Sequence, residues 1–260
     1  MTTLQQASLP AYDHRRGTGP TLVFLHYWGG SARTWNLVID HLPGRDILAI
    51  DARGWSRSRD LPGPYALRRL AEDTLSVIER EQLTDYVLVG HSMGGKVAQV
   101  AAATRPDGLR GIVLVASGPA APPAGITPAY RESLSHAYDT DESAIGARDQ
   151  ILTATTLSET IAEQVLTDSR SWVDDDARTE WPLHGIAEDI TEHTRTIGVR
   201  ALVRAGEHDV VEPVAVLRDN LLPYLSDAEF SIIPSTGHLI PLEAPNELAD
   251  ALRRFRPGPT

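Results

Sequence analysis

"YVLVGHSMGGKVAQVAAA", residues 86–103, reads as two elements joined by a turn with almost no room in it. Residues 86–90 are apolar and valine-rich, as expected of a strand covered on both faces. After Gly94 the chain turns helical, with small residues along one side. Between the two lies Gly90-His91-Ser92-Met93-Gly94, a G-x-S-x-G pattern in the strand–turn–helix setting of a nucleophile elbow. Such a serine must sit on a sharp, strained turn so that its hydroxyl projects at the carboxyl edge of the sheet. The flanking glycines leave no Cβ to collide with the neighbouring strand and helix. The helix that follows points its N-terminal amides at the reacting centre, where they favour developing negative charge.

Working outward, "TLVFLH" (21–26), "DILAID" (46–51), "GIVLVA" (111–116), "VRALVRAG" (199–206) and "AEFSIIP" (228–234) have the same buried-strand character. Helical spacing fills the intervals 65–81 and 214–225, and 244–255 reads as a terminal helix with Asn246 as its candidate cap. Strand and helix in alternation predict an α/β fold with a mostly parallel, doubly wound sheet. One interval breaks the rhythm. After Ala116 comes the Pro- and Gly-rich "SGPAAPPAGITP", and no strand run reappears until Val199. The polar, helix-prone segment between contains Trp172 and Trp181 and reads as a cap over the strand ends. The expected organisation is a core of 1–118 and 196–260, with a helical cap (lid), 119–195, inserted after the sixth strand.

The 260 residues suffice to bury a large core. A net charge of −11 argues against nucleic acid or an anionic membrane surface as partner. The absence of cysteine excludes disulfides, thiolate zinc sites and Cys nucleophiles. "MTTLQQASLPAYDHRRG" lacks the basic start and apolar stretch of a signal peptide, and no run reaches the length of a membrane span. A cytoplasmic protein, monomer or homodimer, handling a small molecule is the expectation.

A serine hydroxyl needs a base to take its proton, and the imidazole in turn needs an acid to hold its tautomer. His238, in "IIPSTGHLIPLEAP", follows the last strand in a loop of small residues. Asp209, in "ALVRAGEHDVVEP", follows the penultimate strand, with Glu207 a weaker competitor that reads as a solvated loop residue. Ser92, Asp209 and His238 therefore leave three separate strands at one edge of the sheet. His26, His91 and His208 sit at other strand ends. Glu207-His208-Asp209 lies on one loop without the spacing of a zinc site, so no metal and no cofactor is expected.

"GHSMGG", "AGEHDVVEP" and "STGHLIPLEAP", in that order, resemble the nucleophile, acid and histidine motifs of the α/β-hydrolase family, and the likeness extends over essentially the whole chain. "DARGWSRS" (51–58) resembles the family's Asp-x-Arg-Gly turn. Some relatives carry the acid one strand earlier, where this chain reads "VASGPA" with Ser117 and no carboxylate. The resemblance implies a small, capped serine esterase or lactonase. It also implies an oxyanion hole made by the backbone N–H of Met93 and by the loop in "FLHYWGGS" (24–31). Relatives read His-Gly-x there. His26 keeps its place, Tyr27 stands where they have glycine, and Trp28 supplies the donor.

The function expected is cleavage of a carboxylic ester or lactone through an acyl-enzyme on Ser92. The aromatics Tyr27, Trp28, Trp172 and Trp181 suggest an apolar or aromatic substrate group. Carbon–carbon bond hydrolysis, enol-lactone opening and cofactor-free perhydrolysis use the same residues, and the fold alone does not rank them. A slow-turnover ligand sensor signalling to a protein partner is the reading from another class.

Overall fold

A computed structural model of the chain describes residues 8–258. Two strands, β1 (Tyr12–Arg15) and β2 (Thr18–Leu25), lead through helix α1 (Asn36–Asp40) to β3 (Arg45–Ile50). Helix α2 (Leu67–Arg80) leads to β4 (Tyr86–His91), and α3 (Met93–Ala103) to β5 (Leu109–Val115). The insert then runs through α4 (Pro128–Ser135), α5 (Asp141–Ala147), α6 (Glu159–Ser169), α7 (Asp175–Leu183) and α8 (Thr191–Arg195). The chain returns with β6 (Arg200–Gly206), α9 (Val214–Asn220), β7 (Ala228–Ile233), α10 (Ile240–Glu243) and α11 (Pro245–Arg254).

The strands form one sheet in the order β1-β3-β2-β4-β5-β6-β7, antiparallel at β1–β3 and parallel elsewhere. Period-two alternation sorts the central strands between two cores. Val23, Leu25, Leu88, Ile112 and Leu114 face Leu70, Val77 and Val97 of α2 and α3. Leu22, Phe24, Val87, Val89 and Val113 face Val38 of α1 and Leu248 and Leu252 of α11. Because helices cover both faces, these strands read as continuous apolar runs rather than alternating ones. Strand order reverses between β2 and β4, where the register pairs Leu25 with Gly90. A crevice at the carboxyl ends of the strands is expected at such a switch point.

Two expectations need correction. The insert follows the fifth strand of the described sheet, not the sixth. Asn246 is not a helix cap: Pro245 opens α11 and Ala244 stands at the cap position, without a side-chain hydrogen bond. Proline suits the first helical position because its missing N–H is not needed there, so the cap lies two residues earlier, at Ala244. Among the described residues no helix is long and apolar enough to cross a membrane.

Candidate active site

The turn between β4 and α3 is as tight as its sequence requires. Ser92 adopts φ +53° and ψ −115°, a region that costs a non-glycine residue about 1–3 kcal/mol. Hydrogen bonds hold it there: its N–H donates to Val115 O (3.1 Å), and its carbonyl accepts from the N–H groups of Gly95, Lys96 and Gly118. A Cβ on Gly90 would lie 2.6 Å from Gly95 Cα, and one on Gly94 would lie 2.6 Å from His26 O. Both glycines are thus required by backbone passing close to backbone.

Asp209 and His238 come from the loops after β6 and β7. His238 Nδ1–H donates to Asp209 Oδ2 (2.9 Å), and both side chains are almost wholly buried. Asp209 Oδ1 accepts from the N–H groups of Val211 (2.8 Å) and Glu212 (2.9 Å). Burial pushes the Asp209 carboxyl up, but His238 and the two backbone amides outweigh it and hold it below its ordinary range. A carboxylate can only accept, so it fixes the proton of His238 on Nδ1 and leaves Nε2 with its lone pair free. The backbone of His238 is anchored as well. Its N–H donates to Leu152 O (2.9 Å), and its carbonyl accepts from Nε2–H of His91 (2.8 Å). Burial pushes the imidazole of His91 well below its usual value, so it serves as a neutral strut.

The loop after β2 is shaped by His26, whose Nδ1–H donates to Tyr27 O (2.7 Å) and whose Nε2 accepts from the N–H of Ala52 (2.9 Å). Burial lowers its proton affinity, in keeping with that neutral pattern. Trp28 points its indole at the insert: Nε1–H donates to Arg178 O (2.8 Å), and its carbonyl accepts from the Tyr138 hydroxyl (3.1 Å). The Trp28 and Tyr138 rings lie 4.2 Å apart. Among the described residues, no acceptor takes the backbone N–H of Trp28 or of Met93.

A cavity of about 240 Å³ opens above these groups. Its floor is Ser92, His238, Tyr27, Trp28, Val211 and Glu212, and its roof comes from the insert, including Tyr130, Leu134, Tyr138, Ile151 and Trp181. Ser92 and His238 therefore line one cavity, with Asp209 bonded to His238 and with Tyr27, Trp28 and Trp181 on the same wall. Trp172 does not line the cavity. Its ring lies against the guanidinium groups of Arg170 (5.6 Å) and Arg178 (4.9 Å), a packing role inside the insert. Ser117 is buried and accepts from Gln99, and Glu207 is exposed, as its loop position suggests. Sequence reasoning missed Tyr138 and Glu212. The only signal for Glu212 was a second carboxyl three residues beyond Asp209 in an otherwise apolar loop.

A family model described as the alpha/beta hydrolase family matches residues 22–251. A pimeloyl-[acyl-carrier protein] methyl ester esterase of Pseudoalteromonas atlantica is 32% identical over 105 residues, 40% of this chain and 39% of that protein. The match thus spans well under half of that relative's length. The sn-1-specific diacylglycerol lipase ABHD11 of Mus musculus is 24% identical over 254 residues, 92% of this chain and 81% of that one. Among solved structures, Est816, described as an N-acyl homoserine lactone degrading enzyme, superposes with a TM-score of 0.81 at 26% identity, covering 95% of this chain and 96% of that one.

Proposed function

The chain belongs to the alpha/beta hydrolase family, and on that footing we propose that it is a serine hydrolase cleaving a carboxylic ester or lactone of a small, largely apolar substrate. The observation that carries this reading is Ser92 on its strained turn in one cavity wall with a buried His238–Asp209 pair. In this mechanism Nε2 of His238 takes the Ser92 proton as Oγ attacks the acyl carbon. The carbonyl oxygen gains a negative charge, which the unengaged N–H groups of Trp28 and Met93 stabilise. Collapse of the tetrahedral intermediate expels the alkoxide, protonated by His238, and leaves the acyl group on Ser92. Water, deprotonated by the same imidazole, then releases the acid. Asp209 stays ionised throughout and stabilises the imidazolium. Residues 119–195 act as the cap, supplying the apolar roof that selects the substrate.

The esterase and lactonase names among the similar proteins support ester chemistry without choosing the substrate. The test is a panel of aryl esters and lactones assayed with wild-type protein and Ser92→Ala. Turnover falls by about 10⁵–10⁶ in the variant, and a fluorophosphonate labels wild type at Ser92 alone. Wild-type turnover by Ser92→Ala overturns the reading.

A further inference from the structure

Among the described residues, Glu212 is the one carboxyl in the wall of the Ser92 cavity, and it is only 3% exposed. Its backbone is locked, because its N–H donates to Asp209 Oδ1. Its side chain is not: among the described residues, no donor reaches its carboxyl oxygens. Lys96 on α3, whose charge opposes that of Asp209 at Glu212, does not serve it with a hydrogen bond. All three ammonium protons of Lys96 are directed at the carbonyls of Gly185, Ile186 and Glu188 (3.0, 3.4 and 2.5 Å), which uses its full donor capacity. A buried carboxyl without a donor costs free energy unless something entering the cavity completes it. Burial, with the charge of Asp209 added and that of Lys96 opposing, holds its proton well above the usual carboxyl range. The group therefore waits in a form that can accept a hydrogen bond and can give up its proton to a base.

The chemistry that fits such a group is an N–H. An ammonium would restore the carboxylate and pair with it. A secondary amide would offer its N–H to the acid's carbonyl oxygen. An alkyl group of the same size would leave the carboxyl unmet. We propose that Glu212 is a specificity-determining residue that receives an N–H donor of the substrate, so that the cavity prefers esters carrying an amino or amido nitrogen over their all-carbon isosteres. This rests on the cavity being the site of ester cleavage.

The test compares kcat/KM for matched aryl esters whose chains carry an ammonium, an acetamido group or a methyl-terminated isostere, with the substituent in the acyl half or the alcohol half. Wild type favours one of the nitrogen esters over the isostere by about tenfold or more, as a hydrogen bond to a buried carboxyl implies. Glu212→Leu abolishes the preference. Glu212→Gln, which keeps a carbonyl acceptor but no charge, separates the two sources: it retains a preference for the amide and loses one for the ammonium. A purely structural role would lower every substrate by one factor and leave the ratio intact, and that result overturns the proposal. So does a wild type indifferent to nitrogen, a readout that needs no variant to fold. If the all-carbon ester is turned over equally by Ser92→Ala, the esterase reading fails instead. If its turnover depends on Ser92 and no nitrogen preference exists, only the role of Glu212 fails.

Discussion

The floor and the roof of the cavity are built differently. On the floor, each chemical group is held by backbone: Ser92 by carbonyl and amide partners on β5 and α3, Asp209 by two amides of its own loop, His238 by Leu152 O. The roof hangs from the core mostly by side chains, with Leu152 O, which takes the N–H groups of both His238 and Leu239, as a backbone link between the two. Trp28 reaches Arg178 O, Lys96 reaches the carbonyls of 185, 186 and 188, Ser31 and Arg33 reach Asp168, and Tyr65 reaches Asp174. Backbone geometry changes little when side chains change, whereas side-chain links are altered by single substitutions. Single substitutions therefore alter the roof more readily than the floor.

That contrast can be broken at several points. On the floor, Asp209→Asn removes the carboxylate that fixes the His238 tautomer, and the amide nitrogen it introduces invites the wrong one. We expect kcat to fall by about 10⁴ with the circular dichroism spectrum unchanged. A loss below tenfold would mean that another group orients His238. At a link between floor and roof, Lys96 is fully buried, and burial pushes its ammonium down to about 8 against the opposing charges of Glu212, Glu188 and Asp189. Its unfolded value is about 10.4. Between those values the unfolded chain holds a proton that the folded chain has released, so stability rises with pH across the window. Urea denaturation of wild type and Lys96→Met should therefore show the difference moving in favour of wild type from about pH 8 to about pH 10. A flat difference would show that Lys96 stays charged in the fold. Within the roof, Trp172→Phe keeps a ring against Arg170 and Arg178, and kcat/KM should stay within about twofold across an ester panel because position 172 is off the cavity wall. A selective change would return Trp172 to the pocket.

The same contrast explains how much was legible in the sequence. The central strands announced themselves because helices on both faces make every residue apolar. β1 did not, because "YDHR" lies at the sheet edge with alternate residues exposed. The motifs around Ser92, Asp209 and His238 stand out because backbone crowding dictates their small neighbours, as at Gly90 and Gly94. The roof lacks such constraints. Trp172 and Trp181 look alike in sequence, and only the packing of short helices sends one to the arginines and the other to the cavity. Glu212 drew no reading from the sequence because its burial in the cavity wall depends on residues distant in sequence, those of the insert.

Trp28 carries one further consequence. Trp28 lines the cavity beside Ser92 while its indole is bonded into the roof, so a single residue belongs to both halves of the molecule. The insert is therefore not a cassette with ends at 119 and 195. Exchanging it for that of a relative would transplant the lid without the residues its contacts were matched to. Position 28, and with it the Lys96 anchor, must travel with any cap that is to sit on this core.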